Sequence, residues 1–262
     1  MKKIFEKYET FFSILLIILY ILINSYCIQS FGIYDFRSVV INTIFSIILI
    51  ILIIVLKRIK YYGLVKVEGI KKYLYFIPLF LIVSVNLWSG ININNSLNEI
   101  IFYVLNMLNI GFIEEIIFRG FLFKMMEKDN VNSAIAISSI TFGIGHIINL
   151  FHGALFIPTL LQIFSAISIG YLFVIIFYKS SSLFPAIITH FLLNALSIFN
   201  SSNYLYIESL FLIIVPFLYA MYIKKEFNSF FRIHLLLFYL FLLEFLYIRY
   251  LTIFLLQRLI LL

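Results

Sequence analysis

Charge is scarce in this chain: 12% of its 262 residues are Asp, Glu, Lys or Arg, about half the share of a soluble domain. That excludes an ordinary water-soluble globule. Cysteine is nearly absent, and with Cys27 alone neither an intrachain disulfide nor a thiolate metal cage can form. Four prolines and ten glycines build no Pro/Gly-rich linker, so nothing divides the chain into separate soluble domains. Neither H-E-x-x-H nor G-x-S-x-G occurs, which removes the signatures of zincins and of the hydrolase nucleophile elbow.

Apolar residues take the place of what is missing. They make up 64% of the chain, with 31 Phe and a mean hydropathy of +1.11, more than a protein of this size can hide from water. Lipid is therefore the expected solvent. The formal charge of +7 reads as membrane topology and not as a nucleic-acid site, because Lys and Arg gather beside anionic lipid. Lys2, Lys3 and Lys7 precede an apolar run that starts at Phe11. The run is too long for a signal-peptide core and lacks small residues at a cleavage site, so it is expected to be a first transmembrane helix.

Apolar stretches near the twenty residues that cross about 30 Å of hydrocarbon recur at Phe11–Phe31, Val39–Leu56, Tyr73–Trp88, Leu97–Met126, Val131–Leu150, Ala154–Tyr178, Leu183–Phe199, Tyr204–Ile223 and Phe230–Ile248. The expected fold is all-α, a polytopic transmembrane helical bundle of about eight or nine spans. Within one membrane domain, residues 1–96 and 200–262 supply flanking helices and 97–199 the central core. The tail to Leu262, interrupted by Arg249 and Arg258, suits an interfacial helix. Alternate segments carry the basic residues: Lys2, Lys3 and Lys7, six between Lys57 and Lys72, Lys124 and Lys128, Lys179, then Lys224, Lys225 and Arg232. Apart from the tail, the opposite loops carry Arg37 alone. By the positive-inside rule the N-terminus is cytoplasmic.

Ionisable groups inside such helices are costly and mark function. Glu114, Glu115 and Arg119 fall in one span. Together they cost about 9 kcal/mol on the insertion scale, while the fifteen Ile, Leu, Phe and Val of Ile100–Phe123 return about 4.5–9 kcal/mol. The charges must then face the bundle interior. Glu115 and Arg119 are i and i+4, neighbours on a helix face, and Glu114 lies about 100° round from Glu115. Arg119 is thus expected to neutralise Glu115 and leave Glu114 free for acid–base work. A structural ion-pair cluster or an ion pathway is the bland alternative. In the next span His146 closes Thr141-Phe-Gly-Ile-Gly-His146, where Gly143 and Gly145 would admit a close helix. Later, His190 and Asn194 stand one turn apart. Measured at 1.5 Å per residue from each span's basic end, Glu114 lies about 18 Å deep, His146 about 22 Å, His190 about 10 Å and Asn194 about 16 Å, one level near mid-membrane. His152, His234, the Glu244/Arg249 pair and Asp35 read as solvated or hydrogen-bonded groups.

A carboxylate, two imidazoles and an amide without an activated Ser or Cys point to hydrolysis by activated water. In one version Glu114 takes the proton of water while His190 and Asn194 donate to the oxyanion and His146 positions water or leaving group. In the other, His146, His190 and Glu114 hold Zn2+, which acidifies its bound water. The residues leave both open, along with a proton-coupled transporter.

Glu114-Glu115-x-x-x-Arg119, Phe142-x-x-x-His146 and His190-x-x-x-Asn194, in this order, with Gly170-Tyr-Leu-Phe and Ser182-Leu-Phe-Pro185-Ala before the last, resemble the CAAX protease and bacteriocin-processing (Abi) family over Leu97–Phe199. The resemblance implies an intramembrane endopeptidase. In it Glu114 activates water, Glu115 and Arg119 support it, His146 is a second catalytic residue, and His190 with Asn194 stabilises the oxyanion. Metal dependence is open within the family. The terse loops and composition look bacterial, so the expected substrate is a peptide or membrane protein, in peptide processing or bacteriocin self-immunity, at a cell membrane.

Overall fold

The structure, a computed structural model, describes residues 2–68, 76–201 and 205–224, with side chains from Ile4 onward. Apart from one antiparallel bridge between Ile91 and Asn200, the regular structure in these residues is helical. A short α1 (Lys2–Lys7) leads into α2 (Glu9–Ser30) and α3 (Phe36–Val55); α4 (Ile77–Ser84) ends in a 3-10 turn over Val85–Leu87. α5 (Leu97–Glu115) continues without a break as a π-helix, Ile116–Phe123, and as α6 (Lys124–Met126). Then come α7 (Val131–Gly145), α8 (Ile148–Phe151), α9 (Phe156–Ser180), α10 (Phe184–Leu196) with a 3-10 turn to Phe199, and α11 (Leu205–Lys224). The described residues through Ile223 form one compact unit. The expected ninth span, the tail, His234, Glu244 and Arg249 lie outside the described residues.

Helix starts follow their sequences. Asp35 caps α3 by accepting from the Arg37 amide, and its carboxyl is held at about 2, chiefly by the Arg37 side chain and then by that amide. Ser96 and Glu99 form a reciprocal capping box at α5. Asn130 caps α7, and Pro78 and Pro185 occupy the first turns of α4 and α10, where a missing N–H costs nothing.

Among the described residues, six helical segments are long and apolar enough to cross a membrane: Glu9–Ser30, Phe36–Val55, Leu97–Met126, Val131–Phe151, Phe156–Ser180 and Leu205–Lys224. Two further apolar helices are short: Ile77–Leu87 and Phe184–Phe199 reach about 16 and 24 Å. The two pack on each other. Loops fall at two ends of the bundle. Ser182 Oγ donates to Val65 O, Leu183 N to Gly63 O and Tyr61 Oη to Lys124 O at one end, which also gathers Arg58 and Lys128 onto Glu9. At the other, Asn92 N donates to Phe199 O and Ser89 Oγ to Asn200.

Amides join the helices inside. Asn42 donates to Asn106, and Ser46 to Asn109, so α3 is bonded to α5 by groups that apolar lipid would leave unsatisfied. Gly143 lets α7 meet α9: a Cβ there would lie 2.3 Å from Ile167 Cγ1 and 2.8 Å from the Ile163 carbonyl. Gly145 has no such neighbour, which corrects the expectation of a second close approach; it lines a cavity instead.

Candidate functional site

Glu115 and Arg119 sit where α5 passes into its π segment, both without solvent exposure. Arg119 Nη1 lies 3.2 Å from Glu115 Oε1. The wider π turn replaces the α-helical turn assumed for the i, i+4 pair, yet the pair still meets. The guanidinium lies 4.2 Å over the Phe142 ring and 5.8 Å from that of Phe173, a cation–π seat inside an otherwise apolar wall. Gly170 on α9 makes room for it, since a Cβ would lie 2.9 Å from Arg119 Nη2 and 3.0 Å from Phe142 Cδ1.

His190 links the two carboxylates. Its Nδ1 lies 2.8 Å from Glu115 Oε1 and its Nε2 3.3 Å from Glu114 Oε2. Arg119 holds Glu115 as an acceptor, so His190 Nδ1 is the donor to it. That leaves Nε2 turned to Glu114 Oε2. Phe142 and Phe173 wall the imidazole, with ring centroids 5.6 and 5.9 Å away.

Glu114 has a partner that no motif indicated. Tyr20 of α2, 4% exposed, donates its hydroxyl to Glu114 Oε1 at 2.5 Å. Arg119 does leave Glu114 unpaired within its own helix, but Tyr20 and His190 hold both its oxygens from other helices. Tyr20 lies outside Leu97–Phe199, and the signal that could have marked it is a polar i, i+4 pair, Tyr20 and Asn24, on one face of an apolar span.

A cavity of about 270 Å³ is lined by Tyr20, Glu114, His146 and Asn194, from α2, α5, the end of α7 and α10. The acid, one imidazole and the carboxamide thus border one space, while His190 meets it through Glu114. His146 caps α7 and stands edge-on to Phe142 at 5.6 Å. Glu115 and Arg119 lie outside the cavity lining.

Among the described residues no three His, Cys, Asp or Glu side chains are grouped to hold a metal ion. Both His190 ring nitrogens face carboxylates. This arrangement does not present the Glu114, His146 and His190 ligand set that Zn2+ would need, and no step below passes through a metal.

Residues 96–196 match the model of the type II CAAX prenyl endopeptidase Rce1-like family. Comparison with curated proteins and with solved structures finds no match.

Proposed function

We propose, from the match of residues 96–196 to the Rce1-like family of CAAX endopeptidases and from the six candidate spans of an integral membrane protein, that the chain hydrolyses a peptide bond in the cavity at Glu114. The observation that carries this reading is a cavity-facing carboxylate held at one oxygen by Tyr20 and set against His190 at the other. Glu114 takes a proton from water as the water oxygen attacks the scissile carbonyl, and hands it to the departing amine as the C–N bond breaks. Asn194 borders the cavity, and its carboxamide carries no hydrogen bond to another described side chain; it supplies the donor to the oxyanion, while His190, with both ring nitrogens turned to carboxylates, orients Glu114 instead of donating to the oxyanion as the motif resemblance implies. His146 faces the same space and positions the water or the leaving group. Glu115 and Arg119 act through His190, fixing which ring nitrogen carries the proton.

The substrate class we propose is an unmodified peptide or membrane-protein segment, in peptide processing or bacteriocin self-immunity, a setting supported by the motif resemblance and not by geometry. A transporter would need a path past Glu115 and Arg119, both fully buried. The test is cleavage of a peptide library by purified protein. Glu114→Gln and His190→Ala should each abolish the cuts that the native protein makes, in variants that insert and elute normally, and a metal chelator should leave native cleavage within about twofold. Cuts that survive both substitutions end the reading.

A further inference from the structure

Accepting that Glu114 is the reacting carboxylate, the next question is from which end of the bundle a substrate reaches it. From Glu114 the lining of the cavity runs along α5 through Ile110 and Met107 to Tyr103, and along α2 from Tyr20 through Asn24 to Ile28. Those paths climb about 16 Å and about 12 Å. Ile33, in the loop between α2 and α3, and Ser197, just before the Phe199–Asn200 contacts, complete the lining. Each of these lies towards the end where Asn92 meets Phe199, the end with few charges.

The opposite direction is shut. Just below Glu114 come Ile116, Ile117, Arg119, Phe121 and Phe123, all without exposure. The basic end has its own cavity, about 630 Å³, bordered by Lys60, Lys66, Lys124 and Lys128. It shares no lining residue with the cavity at Glu114.

The chemistry of the passage narrows what can use it. Apart from Glu114 and His146, its lining carries no ionisable group other than the tyrosines. Amides and hydroxyls, among them Asn24 and the Asn149–Gln162 pair, where Asn149 donates to Gln162 Oε1 at 2.8 Å, alternate with Ile and Met side chains. The Asn24 carbonyl oxygen is buried without a hydrogen bond within the protein. Buried amide groups of this kind seek partners, and a peptide backbone supplies both donors and acceptors.

We infer that the site is entered from the charge-poor end of the bundle, and that its substrate is an uncharged peptide segment presented there. With the basic end cytoplasmic by the positive-inside rule, this is the extracytoplasmic face. The inference rests on the protease reading for its chemistry, whereas the direction of access is independent of it.

Two single-cysteine variants in a Cys27→Ser background test it: Gln162→Cys at the mouth and Lys60→Cys at the basic end. A membrane-impermeant maleimide applied to intact spheroplasts should label Gln162→Cys and leave Lys60→Cys unlabelled; inverted vesicles should reverse the pattern. Maleimide at position 162 should also reduce peptide cleavage at least tenfold, and at position 60 by less than twofold. Labelling of both positions from one side, labelling of position 162 only in detergent or not at all, or cleavage unaffected by the label at 162 overturns the inference. If the labelling follows the expected pattern while no peptide is ever cut, access stands and the protease reading falls.

Discussion

Tyr20 shows how much of a site can hang on one side chain that carries no motif. Its hydroxyl fixes one oxygen of Glu114, so the other oxygen alone is left to face His190 and the substrate's water. Tyr20→Phe keeps the ring and its stacking on Phe45 and removes only the hydrogen bond. A hydrogen bond to a charged group is worth about 1.5–3 kcal/mol, so kcat/KM should fall about ten- to a hundredfold, mostly in kcat, with unchanged yield of inserted protein. Full activity in this variant would leave Tyr20 a packing residue. The buried pair behind the site invites a different experiment. Glu115→Gln leaves Arg119 without its counter-charge in a wall of Phe142 and Phe173, and breaking one side of a buried pair costs about 3–5 kcal/mol. Thermal unfolding in detergent should move clearly downward for Glu115→Gln and much less for the double variant Glu115→Gln/Arg119→Met, which buries no lone charge; equal losses would argue against the pair as the cause. The pair was readable from spacing because both residues share a helix. Tyr20 was not, because its contact to Glu114 joins residues 94 apart, and its one mark among eighteen tyrosines, the i, i+4 spacing to Asn24, names no partner.

Helix α7 is the element on which the cavity depends, since it carries Phe142 and ends at His146. Its longest packing partner is α9, and the contact is set by Gly143 lying against the Ile163 carbonyl and Ile167. Gly143→Val would push the two helices apart, because the nearest atoms include backbone that cannot turn aside. Overpacking of this kind typically costs about 1–3 kcal/mol, and the displaced Phe142 would no longer cover Arg119. The variant should show a lower unfolding temperature together with lost cleavage, whereas Gly145→Ala, with open space around it and a better helix former in place of glycine, should keep at least wild-type stability; the same loss in both would mean that the close contact with α9 is not the cause. From sequence both glycines looked alike, as small residues before a histidine. Only the direction in which each points, fixed by the neighbour α9, separates them. The π segment was equally hidden, since Ile116–Phe123 reads as ordinary apolar helix and nothing in residue type announces the wider turn that seats Arg119.

Across the whole molecule, hydropathy located the helices well and their lengths less well. An apolar run ends where residues turn polar, but a helix ends where its backbone finds other partners: the expected span at 183–199 is met to within a residue by Phe184–Phe199, while that at 73–88 is described as helix over Ile77–Leu87. Pro78 and Pro185 stand in the first turns of these helices, and Asn86 and Asn200, joined by a hydrogen bond, gather the far ends. Short α10 still connects the two ends of the bundle, because Gly63 and Val65 meet its start while Asn92 meets its end. A stretch of about 16 Å crosses about 30 Å of hydrocarbon only if the bilayer thins or neighbouring helices shield its ends, and α4 has α10 beside it. Cysteines placed at Asn94 and Lys60, one on each side of α4, should therefore react with an impermeant maleimide from opposite faces of the membrane. Reaction from the same face would make α4 a re-entrant hairpin, shift every later helix to the other orientation, and separate the basic residues Lys124, Lys128 and Lys179 from Lys60, against both the charge asymmetry and the Tyr61–Lys124 hydrogen bond.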